Sequence, residues 1–218
     1  ILFKSASEAL HAFSADKKYL GAQTGFITLL HTWAKNLMYH PHLHCIVTGG
    51  GLSYDKNNWI DARSEFLYPR KPLAKMFRGK FLAYLAEDYN AGKYSFNGSK
   101  YNFKKMINSL YKKDWNVYLK HSFKNSELVF KYLANYTHRI AISNHRIIKC
   151  EDDKVYFKWR DNSDGGKQKI MCLDALEFIR RFLLHVLPHN YFRIRHYGLF
   201  ANRNRKINIE KCRLALQV

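Results

Sequence analysis

The last third of the chain constrains the fold most. From residue 146 onward, "RIIKC" and "KVYFKWR" flank the acidic turn "EDD", "KQKIMCL" follows an Asp-Gly-Gly turn, and "LDALEFIRRFLLHVLP" keeps helical spacing up to Pro188. Period-two runs separated by tight turns are strands, and the change to a three-to-four period is a helix. A chain that mixes the two belongs to the α+β class.

The rest of the chain carries the same mixture. Residues 5 to 38 read as two helices split near Gly21, the second showing Phe26, Leu29, Leu30, Trp33 and Leu37 on one apolar face. Pro41 then ends the helix, and "HLHCIV" reads as a strand with His42, His44 and Ile46 on one side and Leu43, Cys45 and Val47 on the other. Gly49, Gly50 and Gly51 read as its exit turn. A short hairpin around Trp59, a proline-bounded connector at 69 to 72, helices over roughly 73 to 90 and 100 to 112, and a strand in "WNVYLK" follow. Asn125 or Ser126 is placed to cap a helix through "ELVFKYLANYTHR". With no internal repeat and no marked shift in composition, residues 1–218 are taken as one domain.

Charge narrows the function. The 37 Lys+Arg against 17 Asp+Glu give +20, an imbalance that favours a polyanionic partner, nucleic acid first, through counterion release and steering. A membrane is excluded as partner because the basic residues do not gather on one amphipathic helix and no apolar stretch approaches the ~20 residues that span a bilayer. Cys45, Cys150, Cys172 and Cys212 are far apart and form no CxxC pair, so neither a zinc ribbon nor a dense disulfide framework is indicated, and a reducing cytoplasm fits. Starting at Ile1 without a signal-peptide core, the chain reads as a fragment whose earlier residues are absent.

Two histidines one residue apart on a strand project from one face, so His42 and His44 can share a divalent cation while Leu43 anchors the strand from behind. With 11 histidines in the chain, roughly half of one such pair arises by chance, and polar strand residues with satisfied hydrogen bonds are the competing interpretation. The HExxH spacing of a zinc protease is missing, and two imidazoles completed by an oxygen ligand suit Mn²⁺ or Mg²⁺. His40, Asn135 and His138 are candidates for the third ligand. Tyr132 and Tyr136, four apart on a helix, bring two phenols to one face, although Val129, Leu133, Tyr136 and Ile140 also describe an ordinary apolar stripe. A phenol of pKa near ~10 can attack a phosphodiester when a cation polarises the phosphate. Arg193 and Arg195 alternate in "FRIRHY" and, with Arg139, are candidates for holding DNA phosphates; a solvated basic edge is the alternative.

The ordered blocks "HPHLHCIVTGGGL", "YLANYTHRIAISNHRI", "EFIRRFLLHVLP" and "RIRHYGLFANR" resemble the two-tyrosine HUH transposases of bacterial rolling-circle insertion sequences over nearly the whole chain. In HUH, a hydrophobic residue separates two histidines; the resemblance maps it onto His42, Leu43 and His44, and the catalytic tyrosines onto Tyr132 and Tyr136. It implies an antiparallel sheet of the HUH-endonuclease type, related to a ferredoxin-like palm, with flanking helices. It further implies a cytoplasmic bacterial enzyme that nicks single-stranded DNA at the ends and target of an insertion sequence and forms a 5′-phosphotyrosine intermediate with Mg²⁺ or Mn²⁺. The Cys-rich zinc-binding region usual at the family's N-terminus is not in this chain, and the first palm strand is expected to precede it. A replication initiator or relaxase shares the same chemistry, and a catalytically inactive nucleic-acid-binding fragment is the reading of another class. Without a GxxxxGK[ST] motif, unwinding would fall to a host helicase.

Overall fold

The architecture comes from a computed structural model that describes residues 1–63, 67–123, 125–137 and 140–218. It is a mixed α+β fold with antiparallel sheets and flanking helices. The chain divides into two compact units. One comprises Ile1–Ile27, Cys45–Lys124 and His196–Val218; the other comprises Thr28–His44 and Asn125–Arg195. No helix among the described residues is long and apolar enough to cross a membrane.

Three strands make the first sheet: β1 (Gly25–Trp33), β2 (Tyr39–Val47) and, from the far end of the chain, β8 (Ile194–Gly198), in the order β2-β1-β8. Thr48 N–H donates to the Gly25 carbonyl at one end of the first pair and Ala34 N–H to the Met38 carbonyl at the other, so β1 and β2 are antiparallel. Leu30 N–H donates to Arg193 and Leu199 N–H to Thr24, which sets β8 antiparallel on the other edge of β1.

Here the expected second helix gives way to a strand. Phe26, Leu29 and Leu30 are buried, but so are Thr28, His31 and Thr32 between them, because β1 is the middle strand and has both faces covered. A strand buried on both faces loses its alternation and reads as a continuous apolar run, which mimics a helical face.

In the first unit, α1 (Leu2–Ala15) packs Ala9, Leu10 and Phe13 against Phe26, Tyr68 and Leu73. Buried Ser14 Oγ ties this core together, 2.7 Å from Thr24 Oγ1 and 2.6 Å from the Tyr68 hydroxyl. The hairpin of β3 (Gly50–Leu52) and β4 (Trp59–Asp61) takes in two glycines expected in a turn. A Cβ on Gly50 would lie 2.5 Å from the Ile60 carbonyl oxygen and one on Gly51 2.7 Å from that of Gln23, so backbone approach, not turning, requires them. Helices α2 (Arg70–Asn90) and α3 (Lys100–Lys112) share a separate core of Leu82, Phe103 and Ile107. "WNVYLK" is not a strand. Residues 114–120 find no strand partner, and Val117 and Leu119 pack instead onto the α1 core.

The second unit holds α4 (Ser126–Thr137), β5 (Ile147–Glu151), β6 (Lys154–Asp161), β7 (Lys167–Asp174) and α5 (Ala175–Leu183). Asn125 caps α4, its Oδ1 accepting from Leu128 N–H at 3.0 Å. The β5-β6-β7 meander is antiparallel throughout, and Asp152 and Asp153 both take positive φ in the two-residue turn that pairs Glu151 with Lys154. Phe157, Ile142, Ala141 and Leu37 form the core beneath it. Helix α5 stops at Leu183, ahead of Pro188, where Val186 N–H bonds the Leu183 carbonyl and buried His185 turns inward. In the first unit the chain closes with α6 (Arg205–Leu216).

Candidate active site

The site grows from the β1–β2 hairpin of the second unit. Leu37 N–H donates to the Ala34 carbonyl, and Leu37 takes φ 62°, the position that glycine usually fills in such a loop. The left-handed conformation costs a non-glycine residue about 1–2 kcal/mol, while full burial of a leucine returns about 1.5–3 kcal/mol, so packing wins. His185 locks the same loop. Its Nε2 donates to the Leu37 carbonyl at 3.0 Å and its Nδ1 accepts from the Thr32 hydroxyl at 3.2 Å, with the Trp33 and Tyr39 rings nearby.

The hairpin thereby presents His42 and His44 from β2 beside His31 from β1. The ligand atoms of these three imidazoles lie within 4.8 Å of one another, close enough to hold one metal ion. His31, the most deeply buried, donates from Nε2 to the Tyr136 carbonyl at 3.0 Å, and His42 donates from Nδ1 to the His40 carbonyl at 2.8 Å. A carbonyl only accepts, so these bonds place the proton of the neutral ring on Nε2 in His31 and on Nδ1 in His42. Burial pushes the His42 pKa down, against the His40 carbonyl that raises it, which favours the neutral imidazole that a metal needs.

Helix α4 lays its two phenols on this triad. Tyr132 and Tyr136 stack with ring centroids 4.3 Å apart; the Tyr136 ring lies 4.2 Å from that of His44 and 5.6 Å from that of His31. The Tyr132 hydroxyl is 3.1 Å from His44 Nδ1. Three imidazoles and two phenols thus form one continuous cluster.

The sequence-derived candidates sort as follows. His42, His44, Tyr132 and Tyr136 come together; His40 and Asn135 are exposed and outside the triad. Arg139 and His138 lie outside the described residues. Arg193 donates to the Thr137 carbonyl at the end of α4, and Arg195 Nε donates to the Phe192 carbonyl at 3.4 Å beside the Tyr191 ring. His31, absent from the candidates named above, completes the group that could hold a metal ion. The third candidate donor is a nitrogen in place of the expected oxygen. Its signal was present, a histidine inside the apolar run "GFITLLHTW", but a helical assignment hid the adjacency of that run to β2.

With this geometry in place, comparison with known proteins decides the family: residues 25–207 match the model of the family described as "Putative transposase". The chain belongs to this transposase family. It is 42% identical over 219 residues to the "Putative transposase y4qJ" of Sinorhizobium fredii (strain NBRC 101917 / NGR234), covering 98% of this chain and 55% of that protein. It is 25% identical over 217 residues to the "Transposase for insertion sequence element IS801" of Pseudomonas savastanoi pv. phaseolicola, covering 93% of this chain and 48% of that protein. The chain therefore spans about half the length of the curated relatives it matches. No solved structure matches it.

Proposed function

We propose that this transposase-family chain carries the catalytic centre of a metal-dependent strand transferase, which nicks single-stranded DNA and keeps the 5′ end on tyrosine during rolling-circle transposition. The observation that carries the proposal is the Tyr132 hydroxyl 3.1 Å from His44 within a triad of imidazoles. In the reaction the Tyr132 oxygen attacks phosphorus, the P–O3′ bond breaks, and the 5′ phosphate stays esterified to tyrosine. The phenol loses one proton overall and the departing 3′ oxygen gains one. One phosphodiester replaces another, so the step is reversible and the end can be handed on.

The three histidines fit a divalent cation by their donor set, and when bound it supplies Lewis-acid polarisation of the scissile phosphate. Imidazole ligands suit Mn²⁺ better than Mg²⁺, which prefers oxygen and water. His44, with its Nδ1 3.1 Å from the Tyr132 hydroxyl, would orient that oxygen while the three imidazoles held the cation. The stacked Tyr136 stands as the second nucleophile, to attack another strand while the first remains esterified. Single-stranded ends of an insertion sequence and its target are the substrate in this reading, with a host helicase opening the duplex in the bacterial cytoplasm.

The test is incubation of the 218-residue chain with labelled single-stranded oligonucleotides and Mn²⁺, followed by denaturing electrophoresis. A covalent protein–DNA adduct that survives denaturation is expected, and the Tyr132→Phe/Tyr136→Phe double variant should abolish it. An adduct that persists in the double variant would overturn the tyrosine assignment; binding without any adduct would reduce the chain to a nucleic-acid-binding module.

A further inference from the structure

Helix α3 has no part in the histidine–tyrosine cluster, and its composition is unlike that of the other helices. Lys100, Lys104, Lys105 and Lys112 lie in it with no Asp or Glu, whereas every other described α-helix carries at least one acid. Phe103 and Ile107 point inward onto Leu82, and Ser99 caps the start by accepting from Asn102 N–H at 3.2 Å. The opposite side is fully displayed. At 100° per residue, Tyr101, Lys104, Lys105, Asn108 and Lys112 fall on one face, which rises ~16 Å from first to last. These residues and Ser109 border one shallow depression.

None of the four lysines has a carboxylate partner among the described residues, in contrast to Arg180 and Arg181 of α5, which both bond Glu177. Lys100 and Lys104 stand four apart, a repulsive pair in the free helix that a polyanion would relieve. Tyr101 is 73% exposed at the head of the row, an aromatic face set among cations with nothing packed over it. A row of cations, amide and hydroxyl groups between them and an open aromatic ring are what a track for a DNA strand needs.

From this we infer that the exposed face of α3 is a DNA-binding surface. It takes the sugar–phosphate backbone on Lys104, Lys105 and Lys112 and stacks a base on Tyr101. The surface belongs to the first compact unit, whereas all five rings of the candidate active site belong to the second. The inference rests on the DNA-directed reading above and adds to it a surface, on the other compact unit, that holds the strand.

The test measures binding, not cleavage. Fluorescence anisotropy with a labelled 20-nucleotide single strand and the matching duplex is followed across a salt series for the parent chain, for Lys104→Glu/Lys105→Glu/Lys112→Glu, and for the charge-matched control Lys17→Glu/Lys18→Glu/Lys56→Glu. The slope of log K against log salt should fall in magnitude by about 2 for the single strand in the α3 variant, at ~0.7 per lost phosphate contact, and by less than 1 in the control. Circular dichroism checks that each variant is folded. Tyr101→Ala should weaken the single strand by roughly fivefold or more while leaving the duplex within twofold, because only an unpaired base is free to stack. Equal slope changes in the α3 variant and the control, or an unchanged slope in the α3 variant, would overturn the proposal. Since no readout depends on an adduct, a chain that never forms one can still show the α3 effect; an active chain with an unchanged slope would retain the chemistry and lose this surface.

Discussion

At the scale of single residues, His31 turns a pair of strand histidines into a group of three that could hold a metal ion. It contributes the third imidazole and also, through Nε2, holds the backbone of Tyr136. His31→Ala should therefore remove both functions: Mn²⁺ binding, read from the loss of the free-ion electron paramagnetic resonance signal, should weaken at least tenfold, and adduct formation should disappear. Mn²⁺ affinity equal to that of the parent would rule out the triad. Of the two phenols, Tyr132 has its hydroxyl 3.1 Å from His44 Nδ1, while the Tyr136 ring lies against those of His44 and His31. Tyr132→Phe is expected to slow the first cut on a short oligonucleotide by tenfold or more, whereas Tyr136→Phe should leave an adduct that transfers poorly to a second strand. The reverse order in a single-turnover assay would exchange the two roles.

At the scale of elements, the site depends on how α4 and the β1–β2 hairpin are held, and Arg193 is a principal tie within that unit. Its side chain reaches the Thr137 carbonyl at the end of α4, while its own carbonyl accepts from Leu30, the residue before His31. A cation on the last carbonyls of a helix is favourable both as a hydrogen bond and against the helix dipole. Arg193→Ala should lower the rate of adduct formation roughly threefold to tenfold with Mn²⁺ affinity unchanged, and Arg193→Lys should recover part of it; an equal loss of Mn²⁺ affinity would make Arg193 a general structural residue. In α5, hydrogen bonds from Arg180 and then Arg181 hold the Glu177 carboxyl down at about 2. Because the folded pKa lies below the unfolded value, the stabilisation is complete above the unfolded pKa near ~4.3 and is lost as pH falls toward 2. Melting temperature should drop more steeply over that window in the parent than in Glu177→Gln.

Legibility in the sequence followed the same physics. Helix α3, with a polar and an apolar side, begins and ends where its pattern said, and the β5-β6-β7 meander was readable because alternation and turn residues agreed. β1 was not, since a middle strand buried on both faces has no alternation to display. The loss of His31 followed directly from that one misassigned element: neighbours on adjacent strands cannot be seen until both strands are known. Gly50 and Gly51 were visible as glycines, but the carbonyl oxygens that exclude a Cβ come from residues distant in the chain.

At the scale of the whole molecule, a charge of +20 separates affinity from chemistry. Most of the free energy of binding DNA should come from counterions released by many Lys and Arg contacts, a sum to which one neutral imidazole adds almost nothing. Catalysis has the opposite arithmetic, because it needs one cation in one geometry, and removing a single ligand disrupts that geometry. His42→Ala is therefore expected to abolish adduct formation while leaving the dissociation constant for a single-stranded oligonucleotide within about threefold and the salt slope unchanged. His42 is only half-buried and bonds the His40 carbonyl two residues away, which confines the structural cost to the hairpin, and a thermal melt close to that of the parent should confirm this. If affinity falls in parallel with cleavage at a preserved melting temperature, the histidines belong to the DNA-binding surface itself, and the division between holding the strand and cutting it does not exist in this protein.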